Sequence, residues 1–183
     1  MSSPQGSATP TPDEPGTSAP PSTAAPSAGS APATTPAAGK PLNPALLKAL
    51  GVALSCEQAA VWCYGLIAAY LPDDLDLISG IEAGHLARRD ATAALITAGR
   101  GKATPPAAAY DVPALSTPAS ARALAATLEN GCAAAWRTVL GSTDDTGLRT
   151  TALAGLSDSA VWLTQIKLAG KISPSTVPFP GQS

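Results

Sequence analysis

Glu82 and His85 stand three residues apart in the run Glu82-Ala83-Gly84-His85, and single acids occur at Glu57 before it and at Glu129 and Asp158 after it. In an α-helix, residues at i and i+3 share a face, so this Glu and His can both reach one ion held between packed helices. With Glu57 and Glu129 supplied by neighbouring helices, the set is most of a di-metal carboxylate site. Such a site needs a second Glu-x-x-His pair, yet the chain contains 1 histidine. A fourth helix offers Asp158 where the second Glu would be and Val161 where the second His would be. The predicted ligands are therefore Glu57, Glu82, His85, Glu129 and Asp158, and the ions they suit are iron, manganese or zinc.

The same residues have a cofactor-free solution. One carboxylate per helix, each near an apolar stripe, is costly unless something positive lies between them. Arg88 or Arg89 can supply it, because a guanidinium bridges two carboxylates through paired hydrogen bonds. In that reading Glu57, Glu82 and Glu129 form a buried ion-pair network, His85 hydrogen-bonds within it, and Arg89→Ala destabilises the fold. The incomplete fourth-helix motif favours this reading over the metal site. Other chemistries find less support. A His-rich zinc site is excluded by the single histidine, and Gly99-Arg100-Gly101-Lys102 lacks the preceding strand and following helix of a phosphate loop. Cys56, Cys63 and Cys132 show no paired spacing and read as buried free thiols, which points weakly to a reducing compartment.

These residues must be positioned by helices, and the start and stop signals are clear. Asn43-Pro44 is an N-cap followed by proline at the first helical position, and Pro72-Asp73 ends that helix. Leu50, Leu54, Val61 and Tyr64 lie at helical spacings from Glu57, which therefore faces the core. A second helix runs from about Asp74 to Ala98 and is closed by Gly99. Its Glu82 and His85 share a face with Ile78, Arg89, Thr92 and Ile96. Thr117-Pro118 opens a third helix that ends at Gly141, with Glu129 beside Ala125, Cys132, Trp136 and Leu140. Thr143 or Asp144 caps a fourth, extending to Ala169 before Gly170, in which Asp158 joins Leu148, Thr151, Gly155, Trp162 and Gln165. Trp62, Trp136 and Trp162 read as core or helix-interface residues. Pro105-Pro106 and Val112-Pro113 keep residues 99–117 from being helical, and the segment is too long for a tight turn. The expected fold is all-α, an antiparallel four-helix bundle over residues 42–172 with a long middle connection.

The short motifs Cys56-Glu57-Gln58-Ala59-Ala60-Val61 with Tyr64-Gly65, His85-Leu86-Ala87-Arg88-Arg89-Asp90, and Leu128-Glu129-Asn130-Gly131 with Ala134-Ala135-Trp136-Arg137 resemble an actinobacterial ferritin-like domain family of unknown function. The resemblance covers roughly residues 43–169. It implies a ferritin-like bundle and brings no established activity. Compared with the wider ferritin-like di-iron proteins, Glu57, Glu82, His85 and Glu129 match the ligands of the first three helices, and the fourth-helix pair is the departure: Asp158 has a shorter reach and Val161 cannot ligate.

Outside the bundle, residues 1–41 alternate proline with Ser, Thr, Ala and Gly and are expected to form a disordered tether, while residues 173–183 form an irregular tail. A net charge of −2 provides no footprint for nucleic acid. Glu57 in the middle of the apolar stretch between Lys48 and Asp73 argues against a membrane span. The low aromatic content of 4% and abundant alanine predict packing between small side chains, compatible with a homodimer. No secretory signal is visible at Met1-Ser2-Ser3-Pro4, so a cytoplasmic location is expected by default, and export if the natural start lies further upstream. The expected role is a non-catalytic structural or partner-binding domain with a degenerate metal site. The alternative is a mono- or dinuclear metal-binding protein using Glu57, Glu82, His85 and Glu129.

Overall fold

The computed structural model describes residues 40–182, so all but the last two residues of the expected tether lie outside the described residues. Four helices follow one another: α1 (Pro44–Ala68), α2 (Leu75–Ala98), α3 (Pro118–Leu140) and α4 (Thr146–Ala169), with a short 3-10 turn at Pro72–Asp74. Local chemistry sets their starts. The Asn43 side chain accepts from Leu46 N at 2.8 Å with Pro44 behind it, and Thr117 forms a reciprocal capping box with Ser120 ahead of α3. The cap of α4 is Asp145, not Thr143 or Asp144. Thr143 Oγ1 instead accepts from Asp145 N at 3.1 Å, a local turn that delays the helix until Asp145 can accept from Leu148 N at 2.9 Å.

α1 packs against both α2 and α3, and α3 packs against α4. Two apolar clusters fix the directions. At one end Ile67 and Leu71 meet Ala121, Leu124 and Ala125. At the other, Leu46 and Leu50 meet Ile96 of α2 and Trp136 and Val139 of α3. α1 is thus antiparallel to both neighbours, and α2 and α3 run in the same direction. Since α2 ends where α1 begins, residues 99–117 must travel the length of the bundle before α3 can start. This connection is held along α1: Gln58 Nε2 donates to Thr104 O at 2.7 Å, the Trp62 and Tyr110 rings lie 5.8 Å apart, and Val112 and Leu115 pack on the far cluster.

Among the described helices, α1 is long and apolar enough by composition to cross a membrane, and half of its most apolar stretch is buried inside the bundle. Small side chains are buried among the large ones, including Ala53 and Ala60 of α1 and Ala125, Ala133 and Ala135 of α3. Two tryptophans fit because glycines face them. A Cβ on Gly155 would lie 2.6 Å from the Trp136 indole, and one on Gly84 would lie 2.5 Å from the Trp162 ring.

Gly155→Ala is expected to lower stability by about 1–3 kcal/mol through that overlap. Gly131→Ala, at an open helical position with nothing within 4 Å, is expected to raise it by roughly 0.5–1 kcal/mol. Chemical denaturation of the two variants checks the contrast in sign.

Candidate functional site

The buried polar residues lie midway along the bundle, between the two apolar clusters. Glu57, His85 and Glu129 are each 0% exposed. His85 of α2 sits between the other two: Nδ1 is 2.7 Å from Glu57 Oε2, and Nε2 is 2.8 Å from Glu129 Oε1. With both partners as carboxylates, both ring nitrogens must donate, which requires the imidazolium form. Burial alone would lower the histidine pKa. The hydrogen bonds and charges of Glu129 and Glu57 outweigh it and hold the group above its ordinary 6.5.

Two aromatic donors complete the carboxylate shells. Tyr64 Oη donates to Glu129 Oε1 at 2.6 Å, and Trp136 Nε1 donates to Glu57 Oε1 at 2.7 Å. The arrangement is reciprocal. In α1 the tyrosine follows Glu57 by seven residues, and in α3 the tryptophan follows Glu129 by seven. Seven residues are about 10.5 Å of helix, so in an antiparallel pair each donor reaches the carboxylate on the other helix. Buried Tyr and Trp need such partners. Glu129 also pushes the Tyr64 hydroxyl pKa well above its ordinary value, second to burial itself.

Arg88 closes the site from the α2/α4 side. Its Nε and Nη2 lie 3.3 and 3.2 Å from the two oxygens of Glu57, Nη1 donates to Gly155 O at 2.8 Å, and Nη2 donates to Ser159 Oγ at 3.1 Å. Nη2 is also 3.1 Å from His85 Nδ1. That pair of cations is tolerated because Glu57 faces both. Two cations and two carboxylates leave the cluster without net charge. Trp162 covers it: its ring lies 4.8 Å from the His85 ring and 4.4 Å from the Arg88 guanidinium carbon. A cation against an indole face is attracted by the ring quadrupole.

The remaining predicted site residues lie elsewhere. Glu82 is half-buried at the edge of the α2 stripe, and Asp158 is 54% exposed with its nearest basic nitrogen, Arg88 Nη1, at 3.9 Å. Arg89 pairs with Asp90 at 2.8 Å on the surface, so of the two arginines it is Arg88 that enters the network. The inner face of α4 is Ala152, Gly155, Ser159, Leu163 and Ile166, one position away from a stripe through Asp158. Thr151 and Gln165, expected on the inner face, are exposed. Gly155 and Ser159 carry almost no hydropathy, so the apolar pattern of the sequence does not mark the buried face of this helix. Tyr64 and Trp136 stood in the predicted apolar stripes without a role. Their polar atoms, which burial obliges to find acceptors, were the available signal.

Cys132 lies beside the cluster, and one ligand atom each from Glu57, His85 and Cys132 fall within 4.8 Å of one another. Cys132 and Cys56 influence one another's ionisation. Cys132 holds the Cys56 pKa below its ordinary value, while Cys56 and burial push that of Cys132 well up. Burial pushes the Cys63 thiol pKa up.

A family model described as a domain of unknown function (DUF4439) matches residues 49–183. The chain belongs to this family. A crystal structure of a conserved hypothetical protein, rv2844, from Mycobacterium tuberculosis is similar, with a TM-score of 0.66 and 32% identity over 68% of this chain and 96% of that one. No curated protein matches. The matched region contains every residue of the buried cluster, and the similarity to an actinobacterial protein agrees with the resemblance read from the short motifs.

Two predictions follow from the cluster. Arg88→Ala strips a buried carboxylate of its cation and is expected to cost about 3–5 kcal/mol, whereas Arg89→Ala at the surface changes stability by at most about 0.5 kcal/mol; urea denaturation separates them. The second concerns pH. Because the folded pKa of His85 lies above the unfolded value of 6.5, its stabilisation is complete below that value and is lost as pH rises through the folded pKa. Unfolding free energy is expected to fall from about pH 6 to about pH 8, short of the ordinary thiol range, and His85→Gln should flatten the slope. A wild-type profile that is level or rising over this interval contradicts the assignment.

Proposed function

We propose that this domain is a ferritin-like bundle with a non-catalytic, structural or partner-binding role, in which a charge-compensated polar cluster takes the place of a metal centre. The observation that carries the reading is the position of His85, whose two ring nitrogens each face a different carboxylate at 2.7 and 2.8 Å. A cationic ring there does the electrostatic work of an ion. Of the four carboxylate oxygens of Glu57 and Glu129, three are engaged by His85, Arg88, Tyr64 or Trp136. Glu129 Oε2 alone makes no hydrogen bond among the described residues. A pair of ions does not fit this donor set, because Asp158 and Glu82 stand apart from it and the bound donors would have to leave. The partner-binding element of the proposal rests on the outer face of α4, where Leu153, Val161 and Leu168 are 52%, 53% and 61% exposed.

One observation favours a second reading, a single bound ion. The donor atoms of Glu57, His85 and Cys132 are close enough together to share one, and the unpartnered Glu129 oxygen lies on a residue that already touches His85. His85 would then have to surrender a carboxylate and become neutral.

Elemental analysis of protein expressed with added iron, manganese or zinc distinguishes the two. The expected result is no stoichiometric metal. About one ion per chain, lost in His85→Ala, would establish the second reading instead.

A further inference from the structure

α2 and α4 are bridged at two levels. Trp162 lies where a Cβ on Gly84 would be, and one turn further along α2 Arg88 Nη1 donates to Gly155 O at 2.8 Å. Beyond Arg88 an open cavity of about 350 Å³ separates the two helices, with Ala91, Thr92 and Leu95 on one wall and Thr150, Thr151 and Ala154 on the other. The Trp136 indole reaches this cavity beside Gly155, and Asp158, 54% exposed, stands at its Arg88 end. Leu95, Ala154 and the indole make most of the surface between the polar groups apolar, as in pockets that take small organic molecules.

The polar groups of this lining accept and do not donate. A threonine hydroxyl has one proton, and each of these gives it to its own helix: Thr92 Oγ1 donates to Arg88 O at 2.7 Å, Thr150 Oγ1 to Thr146 O at 2.9 Å, and Thr151 Oγ1 to Gly147 O at 3.1 Å. What they present to the cavity is lone pairs. Arg88 directs its donors to Glu57, Gly155 O and Ser159, and its charge faces Glu57. Asp158 is a further acceptor, and at 3.9 Å from Arg88 Nη1 it is outside hydrogen-bond reach of that group. Glu57, Glu129, His85 and Arg88 already balance one another, so the Asp158 carboxylate is a charge that the buried cluster leaves unused.

We propose that the α2/α4 cavity is a binding site for a small primary amine, with the ammonium paired to Asp158 and the apolar body lying against Leu95, Ala154 and Trp136. An ammonium brings three N–H donors and a positive charge to a lining that offers acceptors and a negative one. A carboxylate ligand would meet Asp158 with no free donor to offset it, and the threonine oxygens disfavour acceptor groups along the rest of the molecule. The space holds about ten non-hydrogen atoms, taking a water molecule's share of liquid volume for each. The inference stands apart from the metal question, since it concerns the cavity outside the cluster and not the occupant of the cluster.

The test uses the full chain and probes of one shape, phenethylamine, phenethyl alcohol and phenylacetate, titrated at neutral pH while amide and indole resonances are followed by NMR. The amine is expected to bind about fivefold more tightly than the alcohol, the advantage of one partly exposed ion pair, and phenylacetate most weakly. Shifts should centre on Thr92, Leu95, Thr151, Ala154 and the Trp136 indole N–H. Asp158→Asn, a change at an exposed position, should lower the amine to the affinity of the alcohol and leave the alcohol unchanged. Ala154→Trp and Ala91→Trp, with helicity checked by circular dichroism, should each fill the cavity and abolish binding of both. An amine that binds no better than the alcohol, or whose advantage survives Asp158→Asn, overturns the proposal. So do tightest binding of phenylacetate, shifts centred elsewhere, and titrations without saturable shifts.

Discussion

The structure depends on one imidazole ring. His85 projects from α2 into a space bounded by a carboxylate from α1 and a carboxylate from α3, and it satisfies one with each nitrogen. Glu129 has it as its cation and Glu57 shares it with Arg88, and a carboxylate taken from water into a dry interior costs several kcal/mol unless it is compensated. Arg88 supplies the second positive charge and ties the cluster to α4 through Gly155 O and Ser159. All four helices thus converge on a single neutral group of charges, and the two apolar clusters lie above and below it.

The fold was legible because its signals are local. Asn43-Pro44 and Thr117-Pro118 each combine a capping side chain with a proline that cannot sit deeper in a helix, and both mark true starts. The prolines between residues 99 and 117 exclude helix there, and the crossover follows from that. The cluster was only partly legible. Glu57, His85 and Glu129 could be recognised as inward-facing because large apolar residues flank them at helical intervals. In α4 the inner positions are Gly155 and Ser159, and neighbouring Trp162 lies at the margin of the buried face. With nothing bulky to mark the stripe, a shift of one residue changes which side chain points inward. For adjacent Arg88 and Arg89 the sequence holds no decision at all. It is made by Gly155 and Ser159 across the seam, which present acceptors to Arg88.

A buried ionic cluster is seldom the most stable way to fill a core, since apolar side chains of equal volume often do as well or better. What it can add is register. Buried alanines at Ala53, Ala60, Ala125 and Ala135 stand among the larger residues of α1 and α3, and methyl groups by themselves mark the register of one helix on the other weakly. Tyr64 to Glu129 and Trp136 to Glu57 are bonds of fixed length at two points separated by about two helical turns, and a shift by one turn breaks both at once. Each broken bond leaves a buried aromatic donor without a partner, at about 1–3 kcal/mol, and a carboxylate oxygen one donor short. The glycines at Gly84 and Gly155 extend the constraint to the second layer, because the Trp162 and Trp136 rings occupy the space their side chains would fill. Polar bonds set the register in this bundle, and small residues permit the approach that makes those bonds short.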